Sequence, residues 1–290
     1  MNNPSRIAIL LHANDEFERH YLMNRLAERW MDAGHEVVVL KGVDRFEPAA
    51  VLIMHVNLTV IPKEYLVFAA RYPVIVNGGV RDISKRRVSA NLVRRHEAYQ
   101  GPVIVKTDRN YGGLPEQRFL DRGILRRLWR MAQGHLPWSM TDHLEVDSYP
   151  IYPSPAEVPR LVWRNPSLVV EKYRPEREGE LYALRQWVFF GNREASVRIL
   201  SPNPVIKASS AIDRVYGIEI PDGLRAIRKT MGFDYGKFDF GVVDGECVLY
   251  DTNWTPTIAS KNTKSPIEED LAQGMTAFIP EFGRPAVTRK

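Results

Sequence analysis

The chain has 290 residues, of which 44% are hydrophobic and 26% charged, a balance that excludes a disordered polymer and leaves room for two or three lobes. A net charge of +5 with basic clusters at Arg81-Asp-Ile-Ser-Lys-Arg-Arg87, Arg94-Arg95 and Arg126-Arg127 suits an anionic partner. Ile83, Val88, Leu92 and Val93 read as the apolar stripe of a helix with a solvated basic face, and no nucleic-acid-binding motif accompanies them, so a small anion is expected rather than nucleic acid. The single cysteine, Cys247, permits no internal disulfide and fits a reducing cytoplasm. No secretory leader is expected, and the most apolar stretch, Ala49 to Pro62, is too short to span a membrane.

In chain order, Arg6 to Leu11 is predicted as a buried strand. Asp15 to Ala33 follows as an amphipathic helix burying Phe17, Tyr21, Leu22, Leu26 and Trp30 and stopped by Gly34. His35 to Leu40 and Ala50 to Val56 read as strands, Lys63 to Ala70 as a short helix and Tyr72 to Asn77 as a fourth strand. This alternation predicts a parallel α/β lobe over residues 1–80, Rossmann-like in build but without the G-x-G-x-x-G fingerprint. His12 is expected at a helix entry or at the crevice beyond the first strand, His55 as a hydrogen-bonded core residue, and Asn77-Gly78-Gly79 as a crossing loop.

After the basic helix, Gly101-Pro-Val-Ile-Val-Lys106 reads as a strand that delivers a lysine towards the small-residue turn Tyr111-Gly112-Gly113. An ammonium beside accessible backbone N–H groups can hold phosphate, although strands that end in lysine and a polar turn are commonplace. Residues 115–134 are predicted helical, Tyr149 to Pro155 is a proline-punctuated connector, and Pro166 to Tyr173 returns to strand. Leu181 to Phe190 and Glu194 to Leu200 form a predicted hairpin about Gly191-Asn192, with Trp187, Phe189 and Phe190 expected in the core. This half reads as α+β with mainly antiparallel sheet, closed by one helix after Ile267.

The most informative stretch is Lys237 to Pro256, two alternating runs about Asp244-Gly245, which is a hairpin signal. Asp251 and Asn253 are two apart and share a strand face. A two-residue loop would pair Val243 with Glu246 and put Asp239 opposite Tyr250, leaving Asp251 on the other face. A three-residue loop with glycine in the left-handed position would bring Asp239 and Asp251 together. On this reasoning a metal site requires the bulged turn, and the alternative is a hairpin with ordinary solvated carboxylates. Two carboxylates and an amide suit a hard ion such as magnesium that keeps several waters and shares phosphates.

Taken in order, these pieces resemble the ATP-grasp superfamily from about Asn77 to Pro256. The resemblance implies an N-terminal Rossmann-like parallel lobe followed by two α+β subdomains with antiparallel sheets, divided at residues 1–80, 81–168 and 169–290. It implies that Lys85, Lys106 and the turn Tyr111, Gly112 and Gly113 hold the nucleotide. Glu171, Lys172 and Tyr173 would lie beside the adenine, and Glu178 or Glu180 would take the ribose hydroxyls. Arg185 and Arg198 would act on the transferring phosphate, and Asp239, Asp251 and Asn253 would bind Mg2+. Asp251 stands where the family usually has glutamate. The implied activity is ATP-dependent joining of a small-molecule or peptide carboxylate to an amine through an acyl-phosphate, with a homodimer as one possible assembly. Phosphorylation of a hydroxyl and non-catalytic nucleotide binding are the alternatives.

Overall fold

Three sheets divide the chain in the computed structural model, which describes residues 5–120, 123, 136–145, 149–258, 266–280 and 282. The first is parallel and four-stranded, with β1 (Arg6–Leu11) between β2 (Glu36–Lys41) and β3 (Val51–Met54), and β4 (Ile75–Val76) beside β3. β1 and β3 are almost continuously apolar because they are central in a parallel sheet and covered on both faces.

The first helix, α1, is Leu22–Asp32 and starts seven residues later than its periodicity predicts. The Asp15 carboxylate accepts the Glu16 N–H at 2.8 Å and the Tyr21 hydroxyl at 3.2 Å, and Tyr21 bridges to Thr257, which together hold residues 15–21 as a loop. The short helix α2 spans Lys63–Ala69. The expected basic helix is reduced to α3, Lys85–Val88. Beyond it the chain is extended, since Val93 N–H donates to the Val170 carbonyl and Lys172 N–H to the Asn91 carbonyl at 2.8 Å each. Leu92 and Val93 therefore lie along a sheet rather than on a helical stripe, and Val93 is buried among Val103, Val105 and Val170.

That second sheet places β5 (Val103–Thr107) between β6 (Ile151–Tyr152) and β7 (Leu168–Lys172), all antiparallel. The proline-punctuated connector thus supplies a short edge strand, which suits proline's lack of an N–H. Of the helix predicted over 115–134, α4 covers Leu114–Leu120, and residues 121–122 and 124–134 lie outside the described residues.

The third sheet is antiparallel and six-stranded. β9 (Leu181–Phe190) lies between β10 (Arg193–Ser201) and β12 (Tyr235–Val243). β13 (Glu246–Asn253) pairs with β12, β11 (Asp213–Tyr216) with β10, and β8 (Glu176–Glu178) with the start of β9. The helix α5 (Asp222–Met231) ends at Gly232, whose φ of 73° supplies the left-handed cap. The last helix, α6, is Pro266–Gln273.

One core joins the parallel sheet to the six-stranded one, with Leu10, Leu52 and Met54 in the same cluster as Trp187, Phe189, Phe238 and Phe240. On the other face α1 and α6 pack together, and Trp30 donates to the Ala272 carbonyl at 2.9 Å. Asn77 pins the first sheet to the third. Its side-chain oxygen accepts the N–H groups of Asp234 and Tyr235, and its amide donates to the Tyr235 carbonyl. The predicted crossing loop is therefore a junction, made by an asparagine that tolerates φ 63°.

Candidate active site

The β12–β13 hairpin turns through Asp244 and Gly245, with φ of 54° and 79°, and pairs Val243 with Glu246. This is the two-residue loop, not the three-residue one. Asp239 nevertheless stands opposite Asp251, because the register slips between Asp239 and Phe240 and leaves Tyr250 as a one-residue bulge. Phe240 pairs with Leu249 towards the core, whereas Asp239 and Asp251 share the opposite face. The bulge thus lies in the middle of the ladder rather than in the turn.

Each carboxylate meets a lysine. Lys237 Nζ is 3.2 Å from Asp239 Oδ1, which also accepts from Gln186 Nε2 at 3.1 Å. Lys85, only 3% exposed, places Nζ 3.4 Å from Asp251 Oδ1 and donates to the Arg109 carbonyl at 3.2 Å. Asp251 Oδ1 is itself buried without a hydrogen bond. Burial raises the pKa of Asp239, Lys237 opposes the rise and Asp251 adds to it.

From the second sheet, Lys106 reaches Glu171 Oε2 at 2.7 Å and donates to the Tyr250 carbonyl at 3.3 Å. Glu171 is 3% exposed and its other oxygen has no hydrogen bond. Lys85, Lys106, Glu171, Lys172, Tyr173, Asp239 and Asp251 all border one cavity between the two antiparallel sheets. Its walls include Ile104, Leu184, Val205 and Ile206, an apolar stretch beside the charged residues. Tyr149 also lines it, and burial with the charge of Asp251 pushes its phenol up to about 12.

The other expected residues lie apart from this lining. Tyr111, Gly112 and Gly113 make a turn with φ of 46°, 68° and 81°, and a side chain on Gly112 would collide with the Leu144 carbonyl. Arg185 grips Glu176 at 2.8 and 2.9 Å, and Arg198 reaches Glu176 at 3.2 Å and Glu178 at 2.5 Å. Burial alone would raise the pKa of Glu176, but the two arginines and the Val242 N–H outweigh it and the net shift is downward. Glu180 is fully solvated.

Asn253 borders a second cavity, together with Tyr111, Tyr21, Asn57, Asn110, Arg118 and Thr255. Its side-chain oxygen accepts the Thr255 N–H at 2.8 Å. Thr255 Oγ1 donates to Asn57 at 2.9 Å, Asn57 donates to the Tyr21 hydroxyl at 2.9 Å, and Tyr21 donates to Asp15. A polar chain thus runs from the end of β13, the strand that carries Asp251, to the Asp15 carboxylate in the loop after β1.

Sequence reasoning missed Lys237, Gln186, Tyr149 and this chain. Lys237 was legible, since it lies two residues before Asp239 on the same strand face. Gln186 and Tyr149 carry no local signal, because tertiary packing alone brings them near. Among the described residues no group of three or more His, Cys, Asp or Glu is placed to hold a metal ion. The metal reading therefore rests on two carboxylates, with an amide one step along the strand.

No protein-family model matches the chain, and no curated protein matches it in sequence. Among solved structures, the ATP-grasp ligase PsnB complexed with minimal precursor is similar over 93% of this chain and 99% of that one, with 12% identity and a TM-score of 0.51. D-cycloserine synthetase DcsG aligns over 93% and 98% with 13% identity and a TM-score of 0.49. D-alanine–D-alanine ligase from Bacillus anthracis aligns over 95% and 96% with 11% identity and a TM-score of 0.47. The fold is that of the ATP-grasp proteins. Within it, the mixed α/β build carries one parallel and two antiparallel sheets.

Proposed function

We propose that the protein is an ATP-dependent ligase that activates a carboxylate as an acyl-phosphate and passes it to an amine. One observation carries this reading: a carboxylate pair on one sheet and two lysines from outside it converge on a single cavity with an apolar stretch. The fold shared with the ATP-grasp ligase PsnB supports it.

In this reading the nucleotide lies between the antiparallel sheets, with its base beside Glu171, Lys172 and Tyr173. Glu178 or Glu180 takes the ribose. Lys85, Lys106 and the turn at Tyr111, Gly112 and Gly113 face the phosphates, and Arg185 and Arg198 stabilise charge on the transferring group. The residues present fit Mg2+, because a buried Asp251 oxygen lacks a hydrogen bond and the donors are hard oxygens. Asp239, Asp251 and Asn253 would hold the ion, which when bound neutralises phosphate charge. A substrate carboxylate oxygen would attack the γ-phosphorus as the bond from that phosphorus to the β,γ-bridging oxygen breaks, giving an acyl-phosphate and ADP. The amine then forms its bond to the acyl carbon as the C–O bond to phosphate breaks, and phosphate leaves. Asp251 borders the nucleotide cavity and Asn253 the second one, so the acceptor is expected in that second cavity. The implied substrates are a small-molecule or peptide carboxylate and an amine.

Calorimetric titration of a non-hydrolysable ATP analogue, with and without magnesium, tests the reading. Magnesium-dependent binding should fall at least about tenfold in Asp251→Ala, a loss of about 1.4 kcal/mol. Equal binding by the variant, or none by the wild type, would overturn it. A screen of carboxylates and amines for ADP release then identifies the substrates.

A further inference from the structure

The resting site is electrically closed. Asp251 is met by Lys85 at 3.4 Å, Asp239 by Lys237 at 3.2 Å, and Glu171 by Lys106 at 2.7 Å. Each carboxylate that faces the nucleotide cavity or supports it already has an ammonium. We propose that Lys85 and Lys237 are the resting counter-ions of the metal site, so that a divalent cation and phosphate groups can enter only together.

Charge balance in a partly buried place governs what can enter. A bare cation approaching Asp239 and Asp251 meets a site whose two negative charges are already matched by two positive ones. To bind, it must push an ammonium away from its carboxylate. For Lys85, 3% exposed, the displaced ammonium would keep only the Arg109 carbonyl at 3.2 Å, and a buried cation without an anionic partner is costly. Phosphates remove that cost by giving the released ammonium a new anionic partner. Arg109 lies two residues before Tyr111-Gly112-Gly113, so Lys85 already stands between Asp251 and the turn assigned to the phosphates.

Lys237 makes the same arrangement on the other carboxylate. It lies opposite Asn253 on the hairpin and two residues before Asp239, so the ammonium projects over the face that holds all three ligands. Gln186 donates to the same Asp239 oxygen, leaving that atom fully engaged at rest. Lys237 is thus a positioning residue: it holds Asp239 in place and screens it until a divalent ion takes its role. Coupling of this kind is reciprocal, so the cation must tighten nucleotide binding by the same factor as the nucleotide tightens cation binding. The phosphate half of the proposal rests on the nucleotide reading of the cavity; the counter-ion half does not.

The test is Mn2+ binding to the full chain, read from the spin-resonance signal of free Mn2+, first without nucleotide and then with a non-hydrolysable ATP analogue. Wild-type protein should bind Mn2+ alone weakly. Lys237→Met and Lys85→Met should each bind it at least about tenfold more tightly, because a unit charge at this range acts strongly in a partly buried site. The added Asp239→Asn change should abolish that gain, which locates the ion. With the analogue present, Mn2+ affinity should rise in wild type by at least about tenfold more than in either lysine variant. Unchanged or weaker Mn2+ binding in the folded Lys237→Met protein would overturn the proposal, and this position, less buried than Lys85, keeps the test open if Lys85→Met fails to fold. If the analogue binds to no protein, the nucleotide reading falls, while the comparison with Mn2+ alone still decides the role of the lysines.

Discussion

Replacing His55 with leucine should turn a nearly flat response to acid into a stabilisation. His55 is 0% exposed, packs edge-on against Tyr21 at 4.8 Å, and has no hydrogen bond on either ring nitrogen. Burial pulls its pKa down from 6.5 to about 3, so the fold holds it neutral while the unfolded chain protonates it below about 6.5. Stability present above that pH is therefore lost on acidification, by about 1.4 kcal/mol per pH unit and about 5 kcal/mol in full. Asp15 works against it. Burial raises that carboxyl from 3.8 to about 6, so the folded state binds a proton that the unfolded state lacks, and stability rises by about 3 kcal/mol as pH falls through the same window. Near pH 5 the His55 loss of about 2 kcal/mol and the Asp15 gain of about 1.4 kcal/mol nearly cancel. Urea unfolding between about pH 7 and about pH 5 should show wild type almost flat, His55→Leu more stable in acid by about 1.4 kcal/mol, and Asp15→Asn less stable by about 2 kcal/mol. Tyr21 touches both residues, so strict additivity is not required, and the opposite signs are the test. Parallel pH profiles for all three proteins would refute the reasoning.

Two further substitutions probe the scaffold. Asn77→Ala removes three hydrogen bonds between the first and third sheets and strains a left-handed residue, and should cost about 3 kcal/mol in chemical unfolding; Asn77→Gly should recover about 1 kcal/mol of it. Glu176→Ala leaves Arg185 and Arg198 without their shared carboxylate and should cost about 3 to 5 kcal/mol, whereas Glu176→Gln, which still accepts the Val242 N–H, should cost less in the same assay.

Much of the strand framework was legible because β1, β3, β7 and β9 carry apolar runs that a buried strand requires. Helix starts were less so. The pattern from Phe17 to Trp30 is continuous in apolar period, yet Asp15 binds its own backbone and Tyr21, so the local side-chain chemistry overrides the period. The stripe of Ile83, Val88, Leu92 and Val93 failed for a different reason: residues 91–93 satisfy their backbone groups on β7, an interaction that no local window reports. The lysines of the site were readable as residue types, but their partners were not, since Lys85 on α3 and Asp251 on β13 are far apart in sequence and meet only in the tertiary fold.

The hairpin shows how a correct pairing can follow from a wrong turn. A tight Asp244-Gly245 loop and strict alternation put Asp251 on the core face with Leu249, and the metal reading would then fail. The change of face shows in the core each residue joins: Cys247 and Leu249, partly buried at odd positions, pack on the same cluster as Trp254 at an even one, while Val248 is buried as well and hides the switch in the sequence. A change of parity within one strand requires an odd number of inserted residues, and Tyr250 is that residue. Its side chain shows why the bulge holds. The Tyr250 hydroxyl lies against Gly241, where any side chain would collide with it, donates to the Arg174 carbonyl at 2.9 Å and accepts the Glu176 N–H at 3.0 Å. The Tyr250 carbonyl accepts from Lys106. A single extra residue thus faces Asp251 towards Asp239 and gives Lys106 a backbone partner, so the carboxylate pair and the second-sheet lysine depend on the same irregularity. A Gly241→Val change should for that reason disturb Lys106 and Asp251 together, through the displaced Tyr250 ring, although neither residue touches position 241 in sequence.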